Sequence, residues 1–117
     1  MRNILLISSI LLFAAGCANT ANDFRATTPV LTLISTKNPE KVAMCIMDGW
    51  EGVVNGFNMR PKGEGYGITF VNSGLIYYMA DIEKVDTGGS STKFWVGTFT
   101  LSSYVENLGN IAKRCQL

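Results

Sequence analysis

The sequence predicts a two-layer α+β domain: a helix, a four-stranded antiparallel meander and a second helix, with both helices on one face of the sheet. Three observations carry this. Val42, Cys45, Ile46 and Trp50 recur at helical spacing behind Asn38-Pro39-Glu40. Four segments between Val53 and Phe99 alternate or read as strands, and the links between them are too short for parallel crossovers. Tyr104, Val105, Leu108, Ile111, Ala112 and Cys115 then form one apolar stripe. Cys45 and Cys115 sit on the stripes of the two helices, which places those helices side by side.

The chain opens with Arg2 and an apolar run from Ile4 to Ala15, interrupted only by Ser8 and Ser9. A membrane-spanning helix needs about 20 apolar residues. This run is shorter, and its flanks follow the pattern of a cleaved export signal. Its end, Ala14-Ala15-Gly16-Cys17, resembles the lipobox of bacterial lipoprotein precursors, with Ala14 at the position where leucine is usual. That resemblance implies a signal peptide over 1–16, a diacylglycerol on the Cys17 thiol and an acylated (palmitate-type) amino group. Two or more acyl chains anchor stably where one does not. By similarity to enterobacterial sorting, Ala18 in place of aspartate implies the inner leaflet of the outer membrane, facing the periplasm. The other reading is an ordinary secretory signal cut after Ala18, which would discard Cys17.

From Cys17 onward 101 residues remain, enough for one small domain. They hold nine basic and nine acidic residues, so the mature charge is zero. A nucleic-acid binder normally carries a basic patch or stripe, and none is expected here. The chain has no histidine, which excludes Ser-His-Asp and Cys-His catalysis and histidine-containing zinc sites. No cofactor, metal or catalytic residue is assigned. With Cys17 taken by lipid, Cys45 and Cys115 form an even pair in an oxidising setting and are expected to be disulfide-bonded. Closing so long a loop is worth roughly 4 kcal/mol on the chain-entropy model. Two buried free thiols are the alternative.

Residues 17–36 read as a tether, small and polar, with an extended reach of about 60 Å. Within it Val30-Leu-Thr-Leu-Ile34 alternates weakly and fits a short strand or a segment lying along the domain. The domain proper is 37–117. Asn38 caps the first helix, Pro39 suits its first position, and Glu40 suits the positive end of its dipole. The helix runs to about Trp50. Val53–Arg60 is the first strand, Pro61–Gly65 a turn, and Tyr66, Ile68 and Phe70 alternate in the second strand. Asn72-Ser73-Gly74 is a tight connection. Leu75–Val85 is the third strand, Asp86–Ser91 a flexible turn, and Thr92–Phe99 the fourth strand. Ser103 with Glu106 fits a capping box for the last helix. The globular part resembles a group of small Gram-negative lipoproteins through Pro39–Glu51, Ala80-Asp81-Ile82, Gly88-Gly89-Ser90 and Cys115-Gln116. That likeness brings no activity with it.

The sheet carries more apolar side chains than one covered face needs. Simple alternation turns Ile76, Tyr78, Ala80 and Ile82 towards the helices and Leu75, Tyr77 and Met79 outward. Phe94 and Val96 then lie on one side of the fourth strand, Trp95 and Phe99 on the other. Leu75, Tyr77, Met79, Trp95 and Phe99 are therefore the candidate partner surface, since exposed apolar patches of a few hundred Å² often mark interfaces. The alternative is that Val30–Ile34 or the tether covers that face. Asp48 with Glu51, and Asp81 with Glu83, are paired carboxylates whose plainest reading is solvated surface. Arg60 and Lys62 among Gly63, Gly65 and Gly67 read as a hairpin turn rather than a phosphate loop. Ser73-Gly74-Leu75-Ile76-Tyr77 resembles the Ser-Gly-x-x-Tyr segment of lipoprotein inhibitors of c-type lysozyme, which are β-barrels.

The expected function is a lipid-anchored cell-envelope protein without chemistry of its own. It would be held to the membrane through Cys17 and would dock another envelope protein. The alternative is a small-ligand or inhibitor module that holds an apolar group beside Tyr77 and Trp95.

Overall fold

The structure, a computed structural model, describes residues 20–98 and 100–117. The export-signal, lipobox and Cys17 expectations lie outside the described residues, as does Phe99. The chain runs α1 (Ala21–Arg25), β1 (Leu31–Ser35), α2 (Pro39–Glu51), β2 (Phe57–Lys62), β3 (Gly65–Asn72), β4 (Leu75–Lys84), β5 (Ser90–Val96) and α3 (Ser102–Arg114). It is an α+β fold on one open antiparallel sheet of order β1-β5-β4-β3-β2. Among the described residues no helix is long and apolar enough to cross a membrane.

The sheet has five strands, not four. β2 to β5 form the expected meander, and β1 adds to the free edge of β5, with Leu31 opposite Phe94 and Leu33 opposite Thr92. Leu31 and Leu33 pack on the main core, while Thr32 and Ile34 stay exposed. The helices are not confined to one face either, because α1 packs with Met79 and Trp95 rather than with the main core. The segment read as a tether thus holds one helix and one edge strand.

Local chemistry explains the helix ends. Asn38 Oδ1 accepts from Lys41 N–H at 2.9 Å, with Pro39 in the first turn. α1 is closed by a reciprocal pair: Asp23 N–H donates to Thr20 Oγ1, and Thr20 N–H to an Asp23 carboxylate oxygen, both at 3.2 Å. At α3 the expected Ser103–Glu106 box is absent. Ser102 and Ser103 lie inside the helix, and its N-cap is Leu101, with no side-chain hydrogen bond. β2 starts later than expected because Val53 and Val54 both donate to the Trp50 carbonyl, wrapping the end of α2. Gly56, at φ +122°, then redirects the chain into the strand.

The main core joins α2, α3 and one sheet face. Val42, Ile46, Trp50, Ile68, Ile82 and Leu108 are fully buried in it. Trp50 stacks at 5.0 Å from Phe57 and 5.1 Å from Phe94, and its Nε1–H donates to the Leu108 carbonyl at 2.9 Å. Gly49 meets Ile111 so closely that a Cβ there would lie 2.5 Å from Ile111 Cγ2, so the two helices approach through the glycine. One turn of each helix further, Cys45 and Cys115 form the expected disulfide, with Cα atoms 5.7 Å apart.

Candidate functional site

The β3–β4 hairpin positions the residues of interest. Its turn is Ser73-Gly74, flanked by the pair Asn72 and Leu75. Both central residues have positive φ, 54° and 76°, the two-residue geometry whose twist suits a hairpin. Further along, Val71 pairs with Ile76 but Phe70 pairs with Tyr78, so Tyr77 is the extra residue of a β-bulge. The bulge reverses the parity of β4 towards the turn. Ile76 packs with Met79 and Trp95 on the second face, and Tyr77 packs against the main core on the helix side. Leu75, next to Ile76, is turned to the helix side by the same pleat.

The four described candidate surface residues are therefore split. Tyr77 and Leu75 lie half-buried at the hairpin end of the helix side. Tyr77 meets Phe70 edge-on at 6.0 Å, and Phe70 continues to Phe57 at 5.3 Å and Tyr78 at 5.9 Å. Tyr104 lies close enough to Tyr78 to act on its ionisation and is 36% exposed, and Leu101 just before α3 is 63% exposed. Burial first, then Tyr104 and Tyr77, raise the Tyr78 phenol above its ordinary value. This end of the sheet is an aromatic cluster.

Met79 and Trp95 belong to the other face and are buried there. Phe24 of α1 covers them, with Ala21 and Ile76 alongside. Trp95 Nε1–H donates to the Thr27 carbonyl at 3.1 Å. Arg25 grips Asp81 with two bonds, Nε to Oδ2 at 2.7 Å and Nη2 to Oδ1 at 3.1 Å. The side chain of Asp81 is 3% exposed, that of Arg25 29%. The hydrogen bond that Arg25 donates to Asp81 raises the Arg25 pKa against the opposing effect of burial, so Arg25 stays cationic throughout any working range. Lys62 reaches Asp81 at 3.5 Å and Glu83 at 3.0 Å.

The paired carboxylates meet different surroundings. Asp81 and Glu83 answer Arg25 and Lys62, and Asp48 and Glu51 are exposed on α2. Among the described residues no group of three or more Cys, Asp or Glu side chains has metal-site spacing. A cleft of about 210 Å³ opens between β1 and α3, lined by Val30, Leu31, Phe94, Val105 and Gly109. Drug-sized sites run to about 300–1,000 Å³.

The sequence pattern marks Phe70 and Tyr104 only as apolar positions of a strand and a helix, and it gives Phe24 and Arg25 no role. A signal for the last two exists: Thr20-Ala-Asn-Asp23 has the spacing of a reciprocal cap, which marks the start of a helix inside the supposed tether. The chain matches no protein-family model, no curated protein and no solved structure.

Proposed function

We propose that this chain is a lipid-anchored cell-envelope protein, acylated at Cys17, that works as a non-catalytic docking module. The anchor rests on the apolar leader followed by Ala14-Ala15-Gly16-Cys17. The observation that carries the docking half is the aromatic cluster at the hairpin end of the helix side. There Tyr77 and Phe70 are half-buried, and Tyr104, near the neighbouring Tyr78, is exposed beside them. Aromatic anchors with an apolar surround are what protein interfaces favour. The disulfide that joins α2 to α3 supports a rigid platform.

The anchor is tested by the intact mass of protein purified from membranes. A mature chain beginning at Cys17 with diacylglycerol and a third acyl chain is expected, and a chain beginning beyond Cys17 overturns it. The docking half is tested by photo-crosslinking in cells from Tyr104 and Tyr77. A discrete protein adduct is expected from both. Clean incorporation with no adduct, in a correctly localised protein, overturns it. A second reading, an inhibitor module, draws on the exposed Ser73-Gly74 turn at the same end. Unchanged lysozyme activity at micromolar protein ends that reading.

A further inference from the structure

We infer that the second face of the sheet, the one under α1, lies flat on an anionic lipid bilayer. The inference rests on the proposed acylation of Cys17. Its first support is length. α1 begins at Ala21 behind its cap Thr20, and Ala21 packs directly with the Phe24, Met79 and Trp95 group. Only three residue steps separate Cys17 from Thr20, a reach of about 10 Å even when fully extended. The long tether expected from composition is therefore used up by folded structure. The acyl chains can leave the domain only beside α1, and the face that carries α1 is drawn to the lipid surface.

The second support is the chemistry of that face. Side chains of one strand alternate, so residues in register with Met79, Asp81 and Trp95 share their side. Arg60 pairs with Gly67, which pairs with Asp81, and Lys93 pairs with Asp81 from the opposite strand. Arg60 and Lys93 are both exposed and lie on either side of Asp81, the residue that α1 grips through Arg25. The two acidic groups between them, Asp81 and Glu83, are already answered by Arg25 and Lys62, and Asp23 is turned to the Thr20 cap. Two exposed apolar residues complete the surface. Ile34, in register with Ser91 beside Lys93, is 68% exposed. Val71, paired with the second-face residue Ile76, is 53% exposed. Basic side chains near an anionic headgroup layer with apolar side chains between them are what an interfacial contact uses. A face held within about one Debye length of the lipid feels that attraction, since the length is about 8 Å at physiological ionic strength. The aromatic hairpin end, on the helix side, is then left free for a protein partner.

The test uses full-length protein made in cells, with its acyl chains confirmed by mass. It is reconstituted in phosphatidylethanolamine–phosphatidylglycerol vesicles that contain nitroxide-labelled lipid. A fluorescent amino acid is placed at Ile34 on the second face or at Lys113 on α3. Quenching several-fold stronger at Ile34 is expected, and the bias should shrink when both basic residues are reversed as Arg60→Glu with Lys93→Glu. Inserting a long glycine-serine spacer between Cys17 and Thr20 should also shrink it. Equal quenching at both positions, or stronger quenching at Lys113, in protein shown to carry its lipid overturns the inference while leaving the anchor intact. A mass without acyl chains overturns the anchor reading and this inference with it.

Discussion

The two faces of this sheet are built to different standards. The helix side is closed by two thirteen-residue helices, a disulfide and a core that centres on Trp50. The second side is closed by a five-residue helix, one phenylalanine and an arginine–carboxylate pair. An isolated helix that short does not persist in water, so α1 exists only because the sheet holds it. The difference separates scaffold from cover. Alternate residues of the same strands face both, and what each face stabilises depends on what lies across from it.

The largest break in the comparison is expected on the helix side. Trp50→Ala removes a fully buried ring and its bond to the Leu108 carbonyl, and should cost about 3–5 kcal/mol in urea unfolding. Replacing Cys45 and Cys115 by serine should follow at about 2–4 kcal/mol, read in the same titration. If either left stability unchanged, the helix side would not be the scaffold. On the second side Asp81→Asn leaves Arg25 partly buried without its carboxylate. Because Arg25 retains contact with water, the expected cost is about 1–2 kcal/mol. Its characteristic readout is local: amide exchange over 20–27 and acrylamide quenching of Trp95 should rise while the helix-side amides stay protected. A uniform rise over both sides would show that the two faces open as one unit.

The smallest effect concerns Tyr78, whose pKa is raised mainly by burial. A raised tyrosine value means that the folded state holds its proton longer than the unfolded state. The stability contributed by neutral Tyr78 is complete below the ordinary value of 10.0 and is lost as pH rises above it, through the raised value. Tyr78→Phe should therefore flatten the alkaline limb of the stability profile and leave it unchanged near neutrality. A wild-type profile that is already flat above pH 10 would show that this end of the core opens to solvent.

Much of the scaffold was legible because its signals are local. Asn38-Pro39-Glu40 announced α2, the spacing of Val42, Ile46 and Trp50 gave its buried face, and Asn72-Ser73-Gly74 announced the hairpin. The disulfide was legible because both cysteines lay on helical stripes that had to meet on one core. The candidate surface was less so. Reading β4 as an unbroken alternation placed Tyr77 with Met79, and only the partner strand shows that the pairing slips between Phe70 and Val71. A bulge is a relation between two strands, and neither carries its full signature alone.

The sequence by itself determined where α2 and the β3–β4 turn begin, the order of the β2–β5 meander and the pairing of Cys45 with Cys115. Each depends on spacing within a segment or on capping chemistry within a few residues. Tertiary structure alone decided that Leu31–Ser35 joins the sheet and that Thr20–Thr27 covers Met79 and Trp95. β1 is a strand because the edge of β5 offers unpaired backbone groups and the core accepts Leu31 and Leu33. α1 is ordered because Phe24 and Arg25 find Trp95 and Asp81 across some 60 residues of chain. Short polar segments lack the apolar area to order themselves, so their structure is set by the surface they land on.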